Sequence, residues 1–189
     1  MLFGGNWLLF LSQLPASPSS PRVMVWRRMK GAGAISLQNG VWILPQSDAH
    51  TTFLQELLDY VKQQSGTGYI FVVNALDEMM QTAVTTQFNL EREEEYEELV
   101  EHSQDFQAEL EREIDQQKFT YAELEESETN WERLQKWLAT IQARDFFLCA
   151  AGATAVTSLA RSRQLLDEFI YLVYAQEGMG EEDDAATMA

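Results

Sequence analysis

Cysteine is nearly absent from this sequence, since Cys149 is the only one among its 189 residues. A single thiol excludes an internal disulfide and a metal cluster held by several cysteine ligands. Histidine is also scarce: His50 and His102 are the only two and lie far apart in sequence. A chain without a disulfide framework fits a reducing compartment, so we expect a cytoplasmic protein.

Long apolar runs are missing as well. A membrane-spanning helix needs roughly 20 consecutive apolar residues, and no stretch of the chain approaches that length. The first residues, MLFGGNWLLFLSQLPAS, are apolar, but no lysine or arginine precedes Arg22. Because a cleaved signal carries positive charge before its apolar region, we expect neither a cleaved signal nor contact with a membrane.

Positive charge is scarce and unevenly distributed. The chain carries 13 basic and 30 acidic residues, a formal net charge of −17, yet residues 1–75 hold five basic and three acidic ones. Neutralising nucleic-acid phosphates requires several cations, so only the N-terminal part is suited to that task. The length fits one domain or two small ones, and 46% hydrophobic residues suffice for a core.

The hydrophobic pattern of the N-terminal part predicts alternating strands and helices. Continuous apolar runs at Trp7–Pro15 and 69–73 are typical of strands, and Asn39-Gly40 between two further apolar runs indicates a hairpin. Ser20 with Pro21 predicts the start of one helix, and a second helix is expected over residues 47–68 with Ser47 or Asp48 as its cap. The order β-α-β-β-α-β within about 75 residues predicts a ferredoxin-like unit.

The pattern becomes helical after Asn74. Apolar residues recur at helical spacing in three segments, and the first two segments are close enough to form an antiparallel hairpin. Thr120 and Glu123 form a capping-box pattern at the start of the second segment. We therefore expect an α+β fold with a ferredoxin-like domain over 1–75, an acidic helical domain over 76–177 made of a helical hairpin and a further helix, and a disordered acidic tail over 178–189.

The candidate site is the first helix, where the early positive charge is concentrated. Its DNA- or anion-contacting candidates are Arg22, Arg27, Arg28 and Lys30. At about 100° per residue, Arg22 shares a face with Val25, Trp26 and Met29, so its stem is expected to pack near Trp26. The other three cations point away from that face and could contact phosphates or an oxyanion. The alternative is that these cations are solvated or paired with acidic residues elsewhere in the chain.

Catalytic patterns are weak by comparison. Glu98 and His102 lie four residues apart and could hold a metal on one helix face, but a second Glu-x-x-His segment is lacking, and a solvated helix face is the simpler interpretation. The sequence GTGYIFV precedes a strand rather than a helix, so it is not a phosphate-binding loop. We expect no enzymatic activity, no cofactor and no metal.

The segment WLLFLSQLPASPSSPRVMVWRRMKGAGAISLQNGVWILP resembles the N-terminal domain of the chromate-resistance regulator family ChrB. The family has a strand ending in Leu-Pro, a serine-rich turn, an Arg-Val-x-Val-Trp-Arg-Arg helix, a Gly-Ala turn and a Gly-Val-x-x-Leu-Pro strand. These features match Leu14–Pro15, Ser17–Ser20, Arg22–Arg28, Gly31–Ala34 and Gly40–Pro45. Weaker matches are FNLEREEEYEEL, FTYAELEE and ARDFF, so the resemblance extends to about Tyr174.

The resemblance implies a chromate-responsive transcriptional regulator associated with a chromate efflux transporter. The implied partner is DNA, in the upstream region of a chromate-resistance operon. The predicted helical hairpin, independently of the resemblance, suggests a second copy of the chain in a homodimer. Full-length members of the family continue into a second, chromate-resistance domain, and we expect no useful chromate affinity from the present chain alone. The alternative function is a non-enzymatic interaction or dimerisation module that does not bind DNA.

Overall fold

A computed structural model describes residues 5–187, with side chains described as far as residue 176. Four strands and five helices give the α+β fold that the sequence predicts. Their bounds are β1 (Asn6–Gln13), α1 (Ser20–Gly31), β2 (Ile35–Gln38), β3 (Val41–Pro45), α2 (Asp48–Gln63), β4 (Thr67–Asn74), α3 (Glu78–Asp115), α4 (Tyr121–Gln142) and α5 (Ala151–Thr187).

The four strands form one sheet in the order β2-β3-β1-β4, with every neighbouring pair antiparallel. This order, with one helix after β1 and another after β3, fits the ferredoxin-like unit. The predicted hairpin between β2 and β3 turns at Asn39-Gly40, where Gly40 has φ +77°. A Cβ atom at Gly40 would lie 2.4 Å from the carbonyl oxygen of Ser12, so the turn requires glycine for its space as well as its conformation.

Helices α1 and α2 cover one face of this sheet. Side chains that alternate along β1 and β3 meet the apolar stripes of both helices, because every second residue of a strand points to the same face. The buried members of this core are Leu8, Phe10, Val25, Met29, Ala34, Trp42, Leu44, Leu54, Leu57 and Val61.

The opposite face is partly covered by chain from much later in the sequence. The Trp7 ring stacks on Phe88 of α3 at a centroid distance of 5.5 Å, and its indole nitrogen donates a hydrogen bond to Gln81. Phe146 and Phe147, which follow α4, pack against the same cluster. Neither the first turns of α3 nor residues 144–147 were predicted to contact the sheet.

The helix starts match the sequence signals at two of three places. Ser47 caps α2 by accepting from the backbone N–H of His50, and Thr120 caps α4 by accepting from that of Glu123. The prediction of Ser20 as the α1 cap is wrong: the cap position is Ser19, and its side chain makes no capping hydrogen bond. Pro21 lies in the first turn of α1, where a missing N–H is tolerated.

The chain divides into two compact units. The first extends to Glu91 and includes Arg144–Phe147, while the second comprises Arg92–Ala143 and the chain from Leu148 onwards. The predicted change of pattern after Asn74 coincides with the end of the last strand. The prediction of separate domains over 1–75 and 76–177 concerns independent folding and stays a prediction.

The second unit is a bundle formed by α4, α5 and the part of α3 after Glu91. The His102 ring of α3 lies 5.2 Å from that of Trp137, near the end of α4, as an antiparallel hairpin requires. The predicted apolar stripes supply its core, which includes Tyr96, Leu99, Trp131, Leu166 and Phe169. A buried hydrogen-bonded group of Ser103, Gln107, Ser158 and Ser162 also connects α3 with α5.

Two expectations concern the membrane and the tail. Among the described residues, none of the helices combines the length and apolar character that crossing a membrane requires. The disordered tail predicted over 178–189 lies outside the residues whose side chains are described.

Candidate cation surface on helix α1

Helix α1 contacts the sheet through a narrow stripe of side chains. Pro21, Val25 and Met29 are its buried residues, spaced four apart so that they line one face. The sequence analysis placed Trp26 on this face, and that prediction is wrong, since Trp26 is 53% exposed. A helical wheel shows which residues are neighbours on a helix, but not which of them face the sheet.

Trp26 instead lines an open cleft beside the sheet. The cleft has a volume of about 430 Å³ and is bordered by the end of β1, the Asn39-Gly40 turn and α1. Arg22 borders the same cleft, so the predicted proximity of Arg22 and Trp26 holds. Their shared side faces this solvent-open cleft instead of the core.

Arg22 is exposed and connects α1 with the loop before it. Its Nη1 donates a hydrogen bond of 2.9 Å to the carbonyl oxygen of Pro15. A guanidinium has five N–H donors, so this contact leaves donors for an external anion. Arg22 therefore combines a fixed position with remaining binding capacity.

Arg27 is the most available of the four predicted cations. Its side chain is exposed, and within residues 5–176 it has no ion pair or hydrogen bond. Nothing in this part of the chain competes with an external phosphate for its guanidinium.

Arg28 and Lys30 are already engaged inside the first unit. The guanidinium of Arg28 lies 5.5 Å from the centre of the Phe53 ring of α2 and 3.7 Å from a carboxylate oxygen of Glu56. The ammonium of Lys30 lies 2.7 Å from a carboxylate oxygen of Glu91. Intramolecular pairing, the alternative considered for these cations, thus describes two of the four.

The four cations do not converge on one point. Arg22 and Arg27 are five residues apart on the helix, which separates them by roughly 140° around its axis. Such a surface can contact successive phosphates of an extended polyanion, whereas a small dianion needs donors that meet at one place.

The Glu98–His102 metal hypothesis gains no support. Both side chains are exposed, and the histidine ring packs against Trp137. No group of three or more His, Cys, Asp or Glu side chains in the described part of the chain is arranged to hold a metal ion.

Two further contacts of helix α1 come from residues that were not predicted to lie near it. Glu91 lies in the motif FNLEREEEYEEL, and Arg144 in ARDFF donates to the carbonyl oxygen of Lys30 at 3.5 Å. The side chain of Arg144 also lies against Gly33, where an added Cβ would approach it to 2.9 Å. These motifs were visible only as isolated similarities, because the contacts join residues 61 and 114 positions apart.

Comparison with known proteins agrees with this arrangement of motifs. Residues 22–180, which span both units, match the sequence model of the family described as Protein ChrB, N-terminal. Protein ChrB of Cupriavidus metallidurans is 30% identical over 83 residues, a match that covers 44% of this chain and 26% of that protein. The family match begins at Arg22 and includes the α1 cations and the acidic motifs FNLEREEEYEEL and FTYAELEE. Because it covers most of the sequence, the chain belongs to the ChrB N-terminal family.

Proposed function

We propose that this chain is a regulatory module of chromate resistance that contacts DNA phosphates through helix α1. Family membership supports a regulatory role in chromate resistance. The observation that carries the DNA contact is the exposure of Arg22 and Arg27 with donors not used inside the first unit. In this proposal the chain acts by binding and has no catalytic step.

The division of labour among the cations follows from their contacts. Arg27 and Arg22 contact phosphates, while Arg28 holds α1 against α2 and Lys30 holds it against Glu91 of α3. Phosphate contacts fix register on a duplex without reading its sequence. Sequence preference then arises from DNA shape or from groups other than these four.

The test is a gel-shift with the DNA upstream of the chain's own gene, compared with a scrambled duplex. The variant Arg27→Gln removes one charge without touching a neighbour, and Arg133→Gln is the matched control because Arg133 is an exposed arginine of the second unit. We expect Arg27→Gln to weaken binding to all duplexes alike and Arg133→Gln to behave as the parent.

Two results would contradict the proposal. One is the absence of any shift by the parent chain at low salt. The other is equal binding by the Arg27→Gln and Arg133→Gln variants. The alternative function, an interaction or dimerisation module without DNA binding, would then be favoured.

A further inference from the structure

The exposed apolar side chains of this chain are concentrated beside one strand. Among the described residues, six of the sixteen exposed large apolar side chains fall within the twelve residues 69–80. They are Tyr69, Phe71, Val72, Leu76, Met79 and Met80. A contiguous group of this kind usually marks an interaction surface, whereas isolated exposed apolar residues need no explanation.

The strand that carries this group is an unprotected edge of the sheet. Within the part of the chain that the structure describes, β4 pairs only with β1; it is eight residues long and has no charge or proline from Thr67 to Leu76. Proteins usually protect an exposed edge with charges, proline, bulges or very short strands. The other edge, β2, is protected in that way, since it has four residues and a register irregularity against β3.

We propose that β4 pairs antiparallel with β4 of a second copy, so that the two sheets join into one sheet of eight strands. This inference goes beyond the proposed function and stands on different residues. Charge, symmetry and area each favour a second copy of this chain as the partner of β4.

Charge favours a second copy over an oppositely charged partner. Two chains of net charge −17 repel each other, and the uncharged strip from Thr67 to Leu76 is a surface where they can approach without bringing like charges together. A basic partner would gain nothing from contacts with this strip, because it would be drawn to the acidic helices instead.

Symmetry fixes which residues meet. A two-fold axis perpendicular to the sheet leaves each face on the same side in both copies, so residues of equal parity lie opposite each other. An axis through Ile70 places Tyr69 of one copy opposite Phe71 of the other, twice. Tyr69 and Phe71 already stack within one chain at 6.2 Å, so the pairing builds a cluster of four aromatic rings.

The available area is that of an ordinary dimer interface. At roughly 150–250 Å² for a large side chain, the exposed fractions of Tyr69, Phe71 and Val72 on β4 give about 300 Å² per chain. Those of Leu76, Met79 and Met80, which follow the strand, bring the total to about 700 Å². A standard interface buries about 800 Å² per partner, and the backbone of the paired edge supplies the rest.

The test is sedimentation of the full chain from about 1 to about 100 µM, in a range where dimers of ordinary affinity dissociate. We expect a mass of twice 21.6 kDa, with tighter association at about 0.5 M than at about 0.1 M salt because salt screens the repulsion. DNA binding responds to salt in the opposite direction, so the two activities are distinguishable.

Matched variants locate the interface. Tyr69→Lys and Tyr171→Lys make the same chemical change at side chains that are 62% and 72% exposed, one on β4 and one on α5. Because each dimer contains two substituted copies, Tyr69→Lys should raise the dimer dissociation constant about 100-fold, while Tyr171→Lys leaves it unchanged. Thermal unfolding of both variants should match the parent at protein concentrations below the parent's dimer dissociation constant, since both side chains are exposed and dimerisation then adds no stability.

A cysteine trap tests the register in the Cys149→Ser background, which removes the only native thiol. Ile70→Cys should form a disulfide-linked dimer on mild oxidation, because its two copies lie opposite each other at the axis. Val72→Cys should form no such disulfide, since residue 72 of one copy lies opposite residue 68 of the other and the two cysteines are four residues apart along the paired strands. A monomeric parent at both salts, equal dimerisation of the two lysine variants, or linkage through Val72→Cys alone would overturn the proposal.

Discussion

Arg27 and Arg28 are adjacent in sequence but have different surroundings. Arg27 extends into solvent, whereas Arg28 covers the ring of Phe53 and lies near Glu56. The sequence analysis treated the two as equivalent outward-facing cations. Neighbours on a helix differ by about 100° in direction, and only the position of α2 decides which of them meets a partner.

This difference predicts unequal effects of the two alanine variants on stability. Arg27→Ala should change the free energy of unfolding by no more than about 0.5 kcal/mol, as is usual for an exposed residue. Arg28→Ala should lower it by about 1 kcal/mol, mainly through the lost contact with Phe53, because a largely exposed ion pair contributes little. Urea unfolding of both variants checks this, and equal stabilities would contradict the contacts described for Arg28.

Glu113 is a buried acid near the turn between α3 and α4. Burial and the neighbouring carboxylates of Glu123 and Glu109 raise its pKa to about 7, and Lys118 offsets part of this effect. In the unfolded chain the same group ionises near its ordinary value of 4.5. The unfolded state therefore loses this proton first as pH rises, which favours unfolding increasingly between about pH 4.5 and 7.

The variant Glu113→Gln tests this pH dependence. It should raise the free energy of unfolding at pH 8 by on the order of 1 kcal/mol or more, which corresponds to a few degrees in melting temperature. It should also make the melting temperature less dependent on pH between 5 and 7. The exposed Glu111→Gln is the matched control on the same helix. If plots of melting temperature against pH are parallel for the parent and for Glu113→Gln over this range, Glu113 ionises normally in the folded protein.

At the scale of elements, local sequence signals were most informative where local chemistry decides the structure. Asn39-Gly40 predicted the hairpin, Ser47 and Thr120 predicted helix starts, and the helical spacing of apolar residues after Asn74 predicted buried helix faces. The first turns of α3 and residues 144–147 were missed because their role is to cover a sheet face formed by strands about 45 to 140 residues earlier. Periodicity carries no information about which distant surfaces meet.

Gly40 gives a test of the hairpin as an element. Gly40→Ala should lower the free energy of unfolding by about 2 kcal/mol or more, because the added Cβ meets the Ser12 carbonyl at a positive φ. Gly31→Ala is the matched control, since a Cβ there has nothing within 4 Å, and it should be neutral or slightly stabilising. Denaturant titration compares them, and equal losses would mean that the close approach at Gly40 is absent.

At the scale of the whole molecule, the distribution of positive charge bears differently on DNA binding and on chromate binding. The candidate site could be located from sequence because the basic residues of the first 75 positions are few and grouped. Which of these basic residues are engaged within the chain could not be predicted, because the pairing of Lys30 with Glu91 and of Arg28 with Phe53 depends on folding. What remains exposed is a pair of divergent arginines on a strongly acidic molecule.

Such a surface should not bind chromate. A small dianion requires several donors at one desolvated point, whereas Arg22 and Arg27 are exposed and diverge. Isothermal titration of the chain with chromate at moderate salt should therefore show no saturable heat. A saturable heat at micromolar chromate would mean that a converging site exists, and its loss in Arg22→Gln would place that site at the α1 cleft.

The salt dependence of DNA binding is the sharpest test of whether Arg22 and Arg27 contact DNA phosphates. Fluorescence anisotropy with the upstream duplex, at protein concentrations above the dimer dissociation constant, gives the slope of log affinity against log salt. We expect the slope to become less negative by about one unit for each lost phosphate contact, hence by about two units per chain in Arg22→Gln/Arg27→Gln. A slope equal to that of the parent, or a parent that binds no DNA at low salt, would contradict the claim.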